Sequence, residues 1–231
     1  MMRALLAASL CAGWALAGVG LAHAQAYPTR PIRIVVPFPA GGPTDGMARI
    51  VSDRLAAVLG QTIVVENHGG GAGGSIGAKA VATADPDGYT ILMTPGGALT
   101  TGPAVHRNIG YDPATSSLPH IQSGNLRALA IAGAERFSKL PDVPTTPEAG
   151  YPKLQAPFWL GVVAPAGTPP AIIDKLNAAF RDSLAQPETR ARLTTLGAEI
   201  KIGTPAEFGK LLASELAQWT AVVKAANIKV E

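Results

Sequence analysis

The chain has 231 residues, 47% of them hydrophobic and 15% charged, with a formal net charge of +3. That near balance, without a basic run, excludes nucleic acid as an expected partner, and the one cysteine, Cys11, excludes an intramolecular disulfide. The length is ample for a buried core, in one large domain or two small ones.

Met1–Ala24 reads as a secretory signal: Arg3 supplies the positive start, Ala4–Gly20 is almost wholly apolar, and Ala22-His23-Ala24 is an A-x-A cleavage site. The apolar run is too weak and too close to that site for a convincing membrane span. Cleavage near Ala24 removes Cys11 and one of 19 basic residues, leaving 18 against 16 acidic, or +2. A soluble exported protein is expected.

Ile32–Val36 is a short β-branched run, read as a strand buried on both faces. Pro37 and Pro39 end it, since neither donates to a ladder, and Gly41-Gly42 permit a tight turn. Thr44 is the expected N-cap of the helix that follows, with Asp45 in its first turn. Met47, Ile50, Val51, Leu55 and Leu59 recur at helical spacing, and Gly60 suits the stop. Strand, glycine turn and helix start in succession aim unpaired amides beyond the strand's carboxyl end, a ready anion site.

The pattern then repeats. Thr62–Glu66 is a strand, Asn67–Gly74 (NHGGGAGG) a second glycine turn, and Ser75–Ala84 a short helix ended by Asp85-Pro86-Asp87-Gly88. Tyr89–Met93 is a third strand running into a third glycine loop, Thr94–Gly97. Alternating strands and helices imply parallel βαβ units, so all three loops fall at one edge of a doubly wound sheet. Gly69–Gly74 contains Gly-x-Gly-x-x-Gly, yet it follows the second strand in a stretch so rich in glycine that matches arise easily; no Gly-Lys-Ser/Thr follows.

Farther on, Leu118–Ser123 reads as a helix end stopped at Gly124, Leu126–Ala132 as an apolar strand and Arg136–Gly150 as a Pro-rich surface loop. Phe158–Ala164 is another buried strand. Pro169-Pro170 open a helix carrying Ile172, Ile173, Leu176, Phe180 and Leu184 on one face, and Glu188–Leu196 forms another, ended at Gly197. Thr204-Pro205-Ala206-Glu207 is a capping box, and its helix lays Phe208, Leu211, Leu212, Leu216, Trp219 and Val223 along a stripe expected to be core.

Enzyme chemistry finds little footing. His68, His106 and His120 lack partners at metal-ligand spacing, and no Gly-x-Ser-x-Gly elbow appears. Ser75 at a helix start could mimic a hydrolase nucleophile but has no evident base. No enzyme, metal or cofactor is expected.

PFPAGGPTD (Pro37–Asp45), VVENHGGGAGGSIGA (Val64–Ala78), DPDGYTIL (Asp85–Leu92), IGYDP (Ile109–Pro113), LPHIQSGNLRALAI (Leu118–Ile131), LPDVPTTPEAGYP (Leu140–Pro152) and APAGTPPAIIDKLN (Ala164–Asn177) follow one another in an order of high specificity. With the closing capping-box helix, they cover essentially all of the mature chain. This set resembles the extracytoplasmic solute receptors of the tripartite tricarboxylate transporter family, the Bug receptors. The resemblance implies a two-lobed α/β fold of the type II periplasmic-binding-protein kind, closing on a small carboxylate held by backbone amides and ordered waters of first-lobe loops. On this chain those positions are Phe38, Ala40, Gly41, Gly42, Thr44 and Asp45; Gly71, Ala72, Gly73, Gly74 and Ser75; and Thr94, Pro95 and Gly96. For Asp45, a helix-end carboxylate and an orderer of ligand water are both open readings; Phe38 either packs over ligand or covers the sheet end. The implied partners are a small organic carboxylate (a di- or tricarboxylate, an acidic amino acid or an aromatic acid) and membrane permease subunits, for a monomer in the periplasm. A ligand-sensing partner of a membrane signalling protein is the alternative.

One departure stands out. Ala114-Thr115-Ser116-Ser117 joins the YDP motif directly to LPHI, where the family pattern runs on through much of the second lobe; by length, roughly 80–90 residues are missing. The expected organisation is a signal at 1–24, a first lobe from 27–111 plus 158–231, and a second-lobe remnant at 112–157. That remnant is too small for a good core of its own, so the site would be half-built.

Overall fold

A computed structural model of the chain describes residues 27–99, 121–124, 127–152 and 158–226. The expected signal, the YDP motif, the Ala114–Ser117 junction, His106 and His120 lie outside the described residues.

A four-stranded sheet is at the centre, in the order β2-β1-β3-β4. Its strands are β1 (Ile32–Val36), β2 (Ile63–Asn67), β3 (Thr90–Pro95) and β4 (Leu160–Val163). β1 pairs in parallel with β2 (Val36 opposite Asn67) and with β3 (Val35 opposite Leu92), and β4 closes the far side antiparallel to β3. The sheet is therefore mixed, with its three parallel strands all ending at one edge. β4 is half-buried and Phe158 ahead of it is exposed, so Phe158–Ala164 is not the buried strand expected. It lies at the edge of the described sheet, covered less than the central strands.

Helices cover both faces. On one, α1 (Pro43–Leu59), α4 (Pro170–Ala185) and α5 (Pro187–Thr195) bury Met47, Val51, Leu55, Leu176 and Leu193 against Ile32, Ile34, Val36, Ile91 and Met93. Each such side chain contributes about 1.5–3 kcal/mol by leaving water. Gly60, left-handed at φ +66°, ends α1 as its position after Leu59 predicts. The other face holds α2 (Ser75–Ala82) and the short α3 (Gly96–Leu99), and its core is only Val35, Val81 and Leu92, with Ala78, Leu99 and Val163 at its margin. Toward the amino edge this face is bare: Arg33 is exposed, so β1 is not buried on both faces throughout, and Val64 is exposed too.

Four further expectations need correction. The N-cap of α1 is Gly42, not Thr44; Pro43 takes the first helical position and Thr44 is buried inside the first turn. There is no third glycine loop, because β3 continues through Pro95 and Gly96 starts α3 directly. Within Leu126–Ala132 the described residues form no strand: 127–130 are irregular, Ile131 makes one isolated bridge to Thr145, and Leu129 is 79% exposed. No second strand among the described residues lies alongside to take up its backbone groups. Finally, α6 (Pro205–Ala225) has its capping box, with Thr204 Oγ1 accepting from the Glu207 amide at 3.2 Å, yet none of its residues is buried and Leu211 and Leu216 are exposed. Its stripe is not core. Phe208 and Trp159, edge to face at 5.2 Å, hold it to the sheet together with the Trp159 indole N–H donating to Glu215 (2.7 Å).

The segment from Arg136 to Tyr151 is a chain of turns, as its prolines predict. Glu148 staples it, accepting from Arg136 and from the Thr145 amide (2.7 Å). Those bonds, Arg136 first, hold its carboxyl down to about 2.

Candidate functional site

Two loops leave the sheet at its carboxyl edge and interlock. In the first, Pro37 and Pro39 stop β1 and Gly41 turns the chain at φ +83°, a region that disfavours a side chain. Gly42 is extended (φ −76°, ψ 169°) and caps α1 without a side-chain hydrogen bond. The first helical bond runs from the Gly46 amide to the Gly42 carbonyl (3.0 Å), so the Thr44 and Asp45 amides have no partner among the described residues.

In the second loop the His68 amide donates to the Val36 carbonyl (2.9 Å), a 3-10 turn (Ala72–Gly74) follows, and left-handed Gly74 (φ +84°) caps α2, again without a side chain. The glycines here permit close approach. A Cβ on Gly69 would lie 3.2 Å from the Pro39 nitrogen, and one on Gly74 would lie 2.9 Å from Pro37 Cβ. Two helix starts capped by glycine alone thus meet beside the ends of β1 and β2. The Thr44 and Asp45 amides of α1 and the positive ends of the two dipoles favour an anion.

The third segment contributes differently. The Gly96 amide donates to the Trp159 carbonyl (2.8 Å), and a side chain at Gly96 would collide with the Trp159 indole. α3 nevertheless packs beside the 3-10 turn, so all three segments adjoin. Thr94 is fully buried, and its hydroxyl has no hydrogen-bond partner among the described residues, a costly state for a buried polar group. By strand alternation it shares the face of Leu92, under α2 and α3.

Of the expected site residues, Phe38, Ala40, Gly41, Gly42, Thr44 and Asp45 lie on the first segment. Gly71, Ala72, Gly73, Gly74 and Ser75 lie on the second, and Thr94, Pro95 and Gly96 on the third. Phe38 is half-buried against the main core. Asp45 is 4% exposed, and its Oδ2 accepts from the Gly41 amide (2.9 Å) and Arg49 Nε (3.0 Å). Burial pushes its carboxyl up, but bonds from Arg49, Gly41 and Asn67 and the Arg49 charge outweigh that and hold it below its usual range. Ser75 hydrogen-bonds no histidine or carboxylate among the described residues, and those residues hold no group of three metal-ligating side chains.

Sequence reasoning passed over Arg49 and Asn67. Arg49 could have been found as the fourth residue after Asp45 on a helix, the spacing of an ion pair. Asn67 sits at the end of β2, and its partner across the sheet edge is not readable from local sequence.

The sequence profile of the tripartite tricarboxylate transporter family receptors matches residues 47–116 and 114–228. The two matches meet at the junction where the family pattern is interrupted. BugT of Bordetella pertussis is 30% identical over 303 residues, covering 90% of this chain and 93% of BugT. Since 90% of 231 residues is about 208, about 95 of those 303 positions face nothing in this chain. Among solved structures, an R. palustris protein with adipate aligns with a TM-score of 0.76 at 25% identity, over 89% of this chain and 100% of that one. MatC from Rhodopseudomonas palustris with bound malate aligns with a TM-score of 0.73 at 27% identity, over 85% of this chain and 100% of that one.

Proposed function

Because the chain belongs to the receptor family of tripartite tricarboxylate transporters, we propose that it captures a small organic dicarboxylate at the carboxyl edge of its sheet and presents it to a membrane permease. The family is one of periplasmic solute-binding receptors, not of enzymes. No helix among the described residues is long and apolar enough to cross a membrane. The signal at 1–24 would deliver the chain to the periplasm.

The observation that carries this reading is the meeting of two glycine-capped helix starts, α1 and α2, interlocked through Pro37 and Pro39. An amide-lined site of this kind binds a carboxylate without a buried arginine, each charge-assisted bond contributing about 1.5–3 kcal/mol. Thr94 offers a hydroxyl beneath α2 and α3 for a ligand oxygen or a bridging water. The malate and adipate named for the two similar structures supply the dicarboxylate class.

Calorimetry with malate, adipate, citrate and aspartate, against putrescine and glucose as controls, tests the reading. Heat from one or more acids and none from the controls is expected; binding of only the amine or the sugar overturns it. Capture of permease subunits from solubilised membranes tests the transport role.

A further inference from the structure

The first glycine turn is gripped at both ends by side chains. At its start the Phe38 carbonyl accepts from Asn67 Nδ2 at 3.1 Å. At its end the Gly41 amide donates to Asp45 Oδ2 at 2.9 Å. Arg49 joins the two grips, its Nε donating to Asp45 Oδ2 (3.0 Å) and its Nη2 to Asn67 Oδ1 (3.3 Å), with Nη2 also 3.0 Å from Asp45 Oδ1. Asn67 is the last residue of β2 and opens the second glycine loop. The circuit Phe38–Asn67–Arg49–Asp45–Gly41 therefore fastens one binding loop to the other.

We infer that Asp45, Arg49 and Asn67 are positioning residues that set the spacing of the two amide-lined loops, and through it the grip on a ligand carboxylate. The inference rests on the carboxylate reading above for its effect on affinity, and on the hydrogen-bond circuit alone for its effect on the loop. Asp45 is 4% exposed and its Oδ2 is held by Gly41 and Arg49, while Oδ1 is buried with no hydrogen bond, 3.0 Å from Arg49 Nη2, so the hydrogen bonds the carboxylate makes hold the loop. Arginine is required at 49 because a planar fork has donors at fixed angles for two different acceptors, while a lysine offers one point charge. A clamp of this kind fixes the donors before ligand arrives, which spares the ordering cost of binding.

Arg49→Lys is the diagnostic variant, since it keeps the positive charge beside Asp45 and loses the fork. Adipate and malate affinities are measured by calorimetry for the wild type, Arg49→Lys, Asn67→Ala and the double variant, alongside thermal midpoints and amide hydrogen exchange at Gly41. Each single variant should weaken binding about tenfold and lower Gly41 protection. The double variant should lose no more than either single one, because one break opens the circuit. Unchanged Gly41 protection in the single variants overturns the clamp, as does unchanged affinity where the wild type binds. A wild type that binds neither acid, with Gly41 protection still lost in the variants, overturns the carboxylate reading and leaves the clamp standing.

Discussion

Gly77 lies directly against Pro37: a Cβ on Gly77 would stand 2.7 Å from Pro37 Cβ and 2.8 Å from Pro37 Cα. This contact seats α2 on the end of β1 and brings the second glycine loop to the first. Gly77→Ala should therefore destabilise the chain by about 1–3 kcal/mol through overpacking, although alanine is the better helix former by about 1 kcal/mol. Urea denaturation reads the sign. Gly42→Val is the control: its Cβ meets only the Pro39 carbonyl at 3.5 Å with an extended backbone, so the fold should survive.

Asp45 makes stability depend on acid. Its folded carboxyl is held below the ordinary range, so the unfolded chain binds the proton first. The contribution is complete above the unfolded value of about 4 and is lost as pH falls through the lower folded value. Glu148 acts with the same sign. Urea midpoints of the wild type and Asp45→Asn should therefore converge as pH is lowered from about 7 to about 3. A gap constant across that range would show that Asp45 acts through packing and not through charge.

Since no residue of α6 is buried, its cap matters more than its packing. Thr204→Ala should cost about 1 kcal/mol and melt the helix locally. Circular dichroism should show helix loss below the main thermal transition. One cooperative transition, shifted whole, would mean instead that α6 is part of the main folding unit.

The interrupted family pattern bears on affinity. Receptors that close a second lobe over ligand expel water and strengthen each amide–carboxylate contact. The described part of 112–157 forms two helical residues (121 and 122), an isolated bridge, turns and irregular chain, with Leu129 exposed. Adipate is expected to bind at millimolar strength, about 4 kcal/mol, without compaction. Micromolar binding with a smaller radius of gyration by X-ray scattering would contradict this. Resequencing across Thr115–Ser116 establishes whether codons were lost.

What could be read from the chain alone was whatever depends on neighbours a few residues away. β1, α1 with its Gly60 stop, α4 opened by prolines and the Thr204–Glu207 capping box all form where local periodicity and caps place them. The ordered motifs also pointed to the family, and the alternation of strands and helices put the glycine segments at one sheet edge. Tertiary structure decided the rest, because each remaining point needs a partner distant in sequence. Leu126–Ala132 has strand composition, but a strand needs a neighbour to take up its amides and carbonyls. The stripe on α6 has core spacing, but burial needs a surface to cover it. Asp45 has the position of a ligand or cap residue, but its Oδ2 is committed to Gly41 and Arg49. Asn67, 29 residues from Phe38, grips that carbonyl only because β1 and β2 end side by side.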